Sequence, residues 1–323
     1  MLVCPPLDFD QRYDIAAATS VGLGGEGGAR LENQDNFLLI DGAGRAVFVE
    51  DQQLHEVQLD DWPPGHVRIA VLDGMGGHGH GREAAEAVVA ALLGMPACDH
   101  LLTLSAWLDG MHGRLQAGFA SHGHASAALR RPGTTLTLLE IAPGAAPLLY
   151  HVGDSRLYEI SGPQIAALTV DHVPATAYAM AGVLQADEWW QQVHGEHRSQ
   201  IAQAFLLGNA FADPAALADA PFPLTCERLP PFLRHLPDRR ALALRADATY
   251  VLATDGFWSC TAPRPWVDSW PALLARHSDA NAMLAALFDA LATLPADSLH
   301  VDNLTAIIIR PLPRRDSGEA TVA

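Results

Sequence analysis

The sequence predicts an α+β domain in which short buried strands are covered by a few amphipathic helices. Three observations carry that prediction. Of seven runs of strand length most are apolar and bounded by Gly, Pro or Asp, helical periodicity is confined to stretches between them, and nothing that reads as a linker divides the 323 residues. A chain of this length suits one large domain or two ordinary ones and buries roughly 75% of its unfolded surface.

The strand-like runs fall at residues 36–41, 66–73, 134–141, 147–154, 156–160, 249–255 and 304–310. After Gly81 the residues Ala85, Val88, Val89 and Leu92 recur at i, i+3, i+4 and i+7, which gives a helix one core-facing stripe. Asp279 is placed to cap a second helix whose Leu284, Leu287, Phe288 and Leu291 share a face. A third helix is expected over residues 196–207, with Gly208 as its stop. Residues 209–241 contain six prolines (Pro214, Pro221, Pro223, Pro230, Pro231 and Pro237) and read as a long connection, while 313–323 read as a frayed tail. One domain over 1–312 follows.

Charge and cysteine usage exclude several classes. With 20 Lys and Arg against 37 Asp and Glu, the net charge is −17. That balance opposes sequence-independent nucleic-acid binding and adhesion to anionic membranes. No basic start with an apolar core marks a signal peptide, and the least polar run, 84–97, is too short to span a bilayer. Cys4, Cys98, Cys226 and Cys260 form no CxxC pair. A soluble protein of a reducing compartment, the cytoplasm, is expected.

The informative feature is where the aspartates fall. Asp73-Gly74 and Asp255-Gly256 each close an apolar strand, Asp154 closes a third, and Asp302-Asn303 immediately precedes a fourth. A carboxylate at a strand end is held by the sheet yet projects beyond the packed layer, so several together offer hard oxygen ligands suited to Mg²⁺ or Mn²⁺. Asp-Gly is also an ordinary turn dipeptide, and taken singly each of these, Asp41-Gly42 included, reads as a plain turn.

Their neighbours make them specific. Gly28-Ala-Arg30-Leu-Glu-Asn33-Gln34-Asp35, Asp73-Gly-Met-Gly-Gly-His78, Gly133-Thr134-Thr135, Val152-Gly-Asp154-Ser155-Arg156, Leu168-Thr-Val-Asp171-His172, Thr254-Asp255-Gly256 and Asp302-Asn303-Leu-Thr305 occur in that order. This ordered set resembles the metal-dependent protein phosphatases of the PP2C type in their bacterial form. The resemblance implies an αββα sandwich: two central antiparallel sheets, helices outside, and metals in a cleft at one edge. It implies that Asp35 belongs to the metal centre, that Asp73 bridges two metals while Gly74 lends its carbonyl, and that Asp255 and Asp302 complete the first site. Asp154 matches the aspartate of a third, weaker site, and Arg30 the phosphate-binding arginine. Two Mn²⁺ or Mg²⁺ ions are therefore implied, with a third weaker one.

The chemistry agrees with this reading. A phosphomonoester dianion needs charge neutralisation, which two dications and a guanidinium fork supply. Paired metals also lower the pKa of a bound water for in-line attack, so no Ser, Cys or His nucleophile is required. The expected activity is hydrolysis of phosphoserine and phosphothreonine in proteins. A Ser/Thr kinase or its targets are the implied partners, and the chain is expected to be a monomer. A catalytically weak relative acting as a regulatory binding module, and a phosphatase of small phosphate esters, are the alternatives.

Other motifs compete less well. Gly22-Leu-Gly24-Gly-Glu-Gly27 matches GxGxxG, but the helix that a dinucleotide site needs is not indicated after it. His78 and His80 form an H-x-H pair. Some relatives carry a general-acid His directly after Asp-Gly; Met75 stands there here, His78 is an alternative, and the acid stays unassigned. Trp62, Trp189 and Trp190 are expected to pack rather than to bind substrate. The interval 41–64 reads as an insertion, and 172–248 as the variable flap with the proline-rich connection.

Overall fold

The computed structural model describes residues 1–23, 30–76, 80–121, 132–196, 198, 200–209 and 220–313. The first half of the chain supplies strands β1 (Leu2–Val3), β2 (Tyr13–Ser20), β3 (Asn36–Ile40), β4 (Arg45–Glu50), β5 (Gln53–Gln58), β6 (Val67–Leu72), β7 (Gly74–Met75), β8 (Gly133–Thr134) and β9 (Leu136–Ile141). The second supplies β10 (Leu148–Val152), β11 (Arg156–Ser161), β12 (Gln164–Ala167), β13 (Gln203–Ala204), β14 (Gly208–Asn209), β15 (Arg239–Ala241), β16 (Thr249–Ala253) and β17 (Leu304–Pro311). The helices are α1 (His80–Leu93), α2 (Leu101–Ser121), α3 (Pro174–Met180), α4 (Ala186–Trp190), α5 (Pro263–Asp268), α6 (Trp270–Leu274) and α7 (Ala280–Ala292).

Two antiparallel sheets form the centre, in the orders β1-β2-β17-β16-β11-β12 and β15-β10-β9-β6-β3-β4-β5. Their inner strands are mostly apolar on both faces because both faces are covered, whereas the edge strands β5, β12 and β15 are partly exposed. In β6, Ile69 and Val71 point between the sheets, whereas Ala70 and Leu72 meet α1 and α2. In β17, Ile307 and Ile309 face the other sheet, while Ala306 and Ile308 pack under α5, α6 and α7. Period-two alternation between two apolar environments yields the continuous apolar runs seen in the sequence. The result is four layers, helix–sheet–sheet–helix.

The expected helix stripe of α1 is buried as read: Ala85, Val88, Val89 and Leu92 all pack inward. Asp279 caps α7, its side chain accepting from Ala282 N at 2.8 Å. The helix expected over 196–207 is corrected. Its described residues, 196, 198 and 200–207, hold no helix: Ala202 N and Gln203 N both donate to the His172 carbonyl, and Leu206 exchanges backbone hydrogen bonds with Thr134. Gly208 lies in β14, not at a helix stop. Apolar residues buried on all sides have no period of their own, and pairing to a neighbouring strand decided the backbone. Helix instead precedes this stretch, as α4 and a π-helical turn over Gln191–Gly195.

Residues 41–64 contain the hairpin of β4 and β5 at one sheet edge. The described part of segment 172–248 carries α3, α4 and the proline-rich chain from residue 220 onward around a small core of Val170, Ala175, Trp189, Val193, Leu224 and Leu233, while residues 210–219 of the connection, Pro214 among them, lie outside the described residues. Trp189 is buried there and Trp62 packs against the core beneath α1, as expected, whereas Trp190 is 41% exposed and lies against the His194 ring. Residues 314–323 of the expected tail lie outside the described residues.

Candidate metal centre

Antiparallel pairing explains how residues far apart in sequence meet. Asp35 precedes β3 and Asp73 follows β6, and these strands pair with Asn36 opposite Leu72, so both carboxylates leave the sheet at one edge. In the other sheet Asp255 follows β16 and Asp302 precedes β17, paired with Ala253 opposite Ala306. Arg156 of β11 lies opposite Ala253, and the turn before it, Gly153-Asp154-Ser155, crosses from β10 in one sheet to β11 in the other. All five aspartates thus come to the same edge of the sandwich.

Asp41 provides the contrast. It sits at the other end of β3, where its oxygens accept from the backbone N–H groups of Asp8, Ala43 and Arg45 at 2.9–3.0 Å. It is a turn residue and nothing more.

Hydroxyls and amides fix the edge. Thr254 Oγ1 donates to Asp35 Oδ2 at 2.7 Å and accepts from Thr305 N at 3.0 Å. Thr305 Oγ1 shares a hydrogen bond with Thr19 Oγ1, which also accepts from Asn33 Nδ2. Asn303 ties three segments: its Oδ1 accepts from Gln34 N, and its Nδ2 donates to the carbonyls of Val21 and Glu32. Thr135 Oγ1 accepts from Asp73 N at 2.9 Å and contacts Ser155 Oγ at 3.1 Å, linking two aspartate turns. Thr254, Asn303, Thr305 and Thr135 all lie in the motif blocks, yet the sequence assigned them no part; no spacing signal distinguishes a hydroxyl that holds a carboxylate from any other.

The glycines permit close approach of backbone. A Cβ on Gly74 would overlap the carbonyl oxygens of Gln34 and Gly81, and one on Gly256 the carbonyl of Asn303. Gly22, the first glycine of the GxGxxG match, packs likewise against the Asp302 carbonyl, and residues 30–35 run as loop into β3 where a dinucleotide site requires helix. Gly24, Gly25 and Gly27 of that match, and His78, lie outside the described residues.

The electrostatics are one-sided. Burial, then repulsion from Asp255, Asp35, Asp302 and Asp154, pushes the Asp73 carboxyl well above its ordinary range. Burial and the neighbouring Asp255 raise Asp154 in the same way. Asp35 is pushed up to about 8, by burial first, against the opposing hydrogen bond from Thr254. Asp255 is raised by burial although it shares a hydrogen bond with the Asp73 carboxyl. A bond between two carboxyls needs a shared proton, and a cation placed between them would relieve the same repulsion.

Arg30 meets this edge from outside, its Nη2 donating to Asp302 Oδ1 at 2.8 Å and its Nε to the Val301 carbonyl. Among the described residues no three His, Cys, Asp or Glu side chains close into a finished cation cage. The donor set nevertheless fits a hard dication: it is all oxygen, at least partly buried, and mutually repulsive without positive charge. Beside Asp154 and Asp255 a cavity of about 70 Å³ is walled by Arg156, Val173, Tyr178, Arg198 and Trp258.

With that geometry in view, comparison with known proteins is direct. The family model for protein phosphatase 2C matches residues 53–292. The serine/threonine protein phosphatase PstP of Mycobacterium tuberculosis is 33% identical over 103 residues, 32% of this chain and 20% of the relative, so the match spans a fifth of that protein's length. Among solved structures, the S. agalactiae serine/threonine phosphatase superposes with a TM-score of 0.62 at 18% identity, covering 93% of this chain and 99% of that one. The M. tuberculosis PstP/Ppp structure gives 0.60 at 20% identity, covering 93% and 99%. The PstP catalytic domain in complex with two manganese ions gives 0.58 over the same shares. At such identities the structural likeness concerns the fold, two covered antiparallel sheets. The family match leaves Arg30, Asp35 and Asp302 outside its span but covers most of the chain, which therefore belongs to the protein phosphatase 2C family.

Proposed function

We propose that the chain hydrolyses phosphoserine and phosphothreonine monoesters in proteins, using Mn²⁺ or Mg²⁺. The observation that carries this is the convergence of Asp35, Asp73, Asp154, Asp255 and Asp302 on one edge, where burial first, and neighbouring carboxylates after it, raise the carboxyls of Asp35, Asp73, Asp154 and Asp255. Asp35, Asp73, Asp255, Asp302 and the Gly74 carbonyl are the residues that would hold a metal pair, and Asp154 a third, weaker ion; the manganese pair in the related PstP domain supports the choice of cation. Bound dications supply a water of lowered pKa and neutralise phosphoryl charge.

The protein's own groups then orient and shield. The Thr254 hydroxyl keeps Asp35 turned toward the edge, and Asn303 keeps the loop of Arg30 beside it. Arg30 presents a guanidinium fork that can leave Asp302 for two phosphoryl oxygens, an exchange that holds the ester without contributing a proton. Phosphoproteins modified by a Ser/Thr kinase are the substrates this assigns, and the cytoplasm is the compartment that suits them. No described helix is long and apolar enough to cross a membrane.

Turnover of p-nitrophenyl phosphate and of a phosphothreonine peptide tests this, with Mn²⁺ and with chelator. Activity should need Mn²⁺ on both substrates and vanish in Asp73→Asn; activity that survives chelator or that substitution overturns the reading. Arg30→Ala should raise KM roughly tenfold with a smaller change in kcat. An unchanged KM removes Arg30 from phosphate binding.

A further inference from the structure

The turn that carries Asp154 is gripped from both sides by the adjacent residues Asp171 and His172. Asp171 takes the Arg156 guanidinium in a two-pronged pair at 2.7–3.0 Å. His172 takes Gly153: its Nδ1 accepts from Gly153 N at 2.7 Å, and its backbone N donates to the Gly153 carbonyl at 2.8 Å. Gly153 has φ +129°, a conformation other residues rarely adopt, so neighbours must hold the turn in place.

Because Nδ1 accepts, the ring proton of His172 belongs on Nε2. Nε2 stands 3.3 Å from Asp238 Oδ2, an electrostatic contact rather than a well-aligned hydrogen bond. Both residues are buried, at 0% and 2% exposure. Asp238 ends the proline-rich connection and is itself anchored. Its Oδ2 accepts from Leu224 N at 2.8 Å, its amide donates to the Leu224 carbonyl, and its carbonyl accepts from His151 N. The His151 ring stacks on His172 at 5.0 Å, which leaves the imidazole no freedom to swing away.

We propose that Asp238 is a positioning residue that acts through His172 to fix the Gly153–Asp154 turn, and so sets the affinity of the cation assigned to Asp154. A carboxylate facing Nε2 favours the proton there and keeps the Nδ1 lone pair available to Gly153. Without it the other tautomer becomes accessible, which would set Nδ1–H against the Gly153 N–H, donor against donor. The proline-rich connection, remote in sequence from Asp154, thereby tunes the metal edge. The inference rests on the metal reading of Asp154 given above.

The test measures Mn²⁺ binding directly, by electron paramagnetic resonance of free Mn²⁺, together with amide exchange at Gly153 followed by NMR. In Asp238→Asn the weakest Mn²⁺ site should weaken roughly tenfold, the size typical of partners behind metal ligands. Gly153 should exchange faster, while the tighter sites and kcat at saturating Mn²⁺ stay near the wild type. In His172→Asn, whose side-chain oxygen accepts without any tautomer, adding Asp238→Asn should change neither readout further. Wild-type Mn²⁺ affinity and Gly153 protection in Asp238→Asn would overturn the positioning role, as would an equal weakening of every site. A wild-type chain that binds no Mn²⁺ would instead overturn the metal reading itself, and the proposal with it.

Discussion

Strand β6 has a buried charge cluster near each end, and the two are built on opposite principles. At one end Arg68, fully buried, donates to both Glu140 oxygens at 2.8 Å, to the Leu92 carbonyl in the last turn of α1 and to those of Met95 and Pro96 just beyond it. His66 and the Cys98 amide take further places on Glu140 Oε1. Burial alone would raise the Glu140 carboxyl, but Arg68 and His66 outweigh it and hold it below its ordinary range. At the other end Asp73 meets four more carboxylates, with the half-exposed Arg30 and the Asp171-paired Arg156 as neighbouring cations, and its pKa rises. The first cluster is balanced within the chain and closes a helix end. The second carries an excess of carboxylates, the pattern expected of a cation site rather than of a structural ion pair.

The same chemical change should therefore act in opposite senses at the two ends. Asp73→Asn is expected to lower kcat/KM by about 10³-fold or more, the scale of losing a group essential to the metal step. In chelator it should leave Tm unchanged or raise it, because it removes repulsion. Glu140→Gln should do the reverse, costing about 3 kcal/mol in denaturant unfolding by leaving Arg68 without its counter-charge, while kcat of the folded fraction holds. A stability loss in Asp73→Asn as large as in Glu140→Gln would erase the distinction.

Mn²⁺ should stabilise the wild type by about 2.7 kcal/mol when its concentration is a hundred times Kd, and should stabilise Asp73→Asn far less. Calorimetric Tm against Mn²⁺ concentration reads this directly. The smallest effect is on pH. Asp35 has a folded pKa raised from 3.8 to about 8, so between those values the native state holds a proton that the unfolded state has released. Stability of the metal-free protein should then fall as pH rises from about 5 to 8, and Mn²⁺ should flatten that slope. Glu140, held low, works the other way: its contribution is present above its unfolded value near 4.5 and fades only as the pH drops below it. A metal-free Tm that climbs steadily from pH 5 to 8 would contradict the raised carboxyls.

How much was legible depended on how local each determinant is. The stripe of α1 and the Asp279 cap were readable because a helix face and its cap lie within a few residues of each other. The segment 196–207 was misread because its backbone partners, His172 and Thr134, are distant in sequence. Asp41 and Asp73 look alike as Asp-Gly after an apolar run, and only their surroundings separate a turn satisfied by three amides from a carboxylate facing four others.

By itself the sequence determined that short buried strands alternate with a few amphipathic helices, and it determined the family through ordered blocks running from Arg30 to Thr305, whose resemblance implied the two covered sheets. Tertiary structure alone decided which aspartates share an edge, because antiparallel register sets residues from opposite ends of the chain side by side. It also decided which side chains hold them there. The hydroxyls of Thr254 and Thr135, the amide of Asn303 and the Asp238–His172 contact act across long separations, and a hydrogen bond exists only once both partners have been brought within reach.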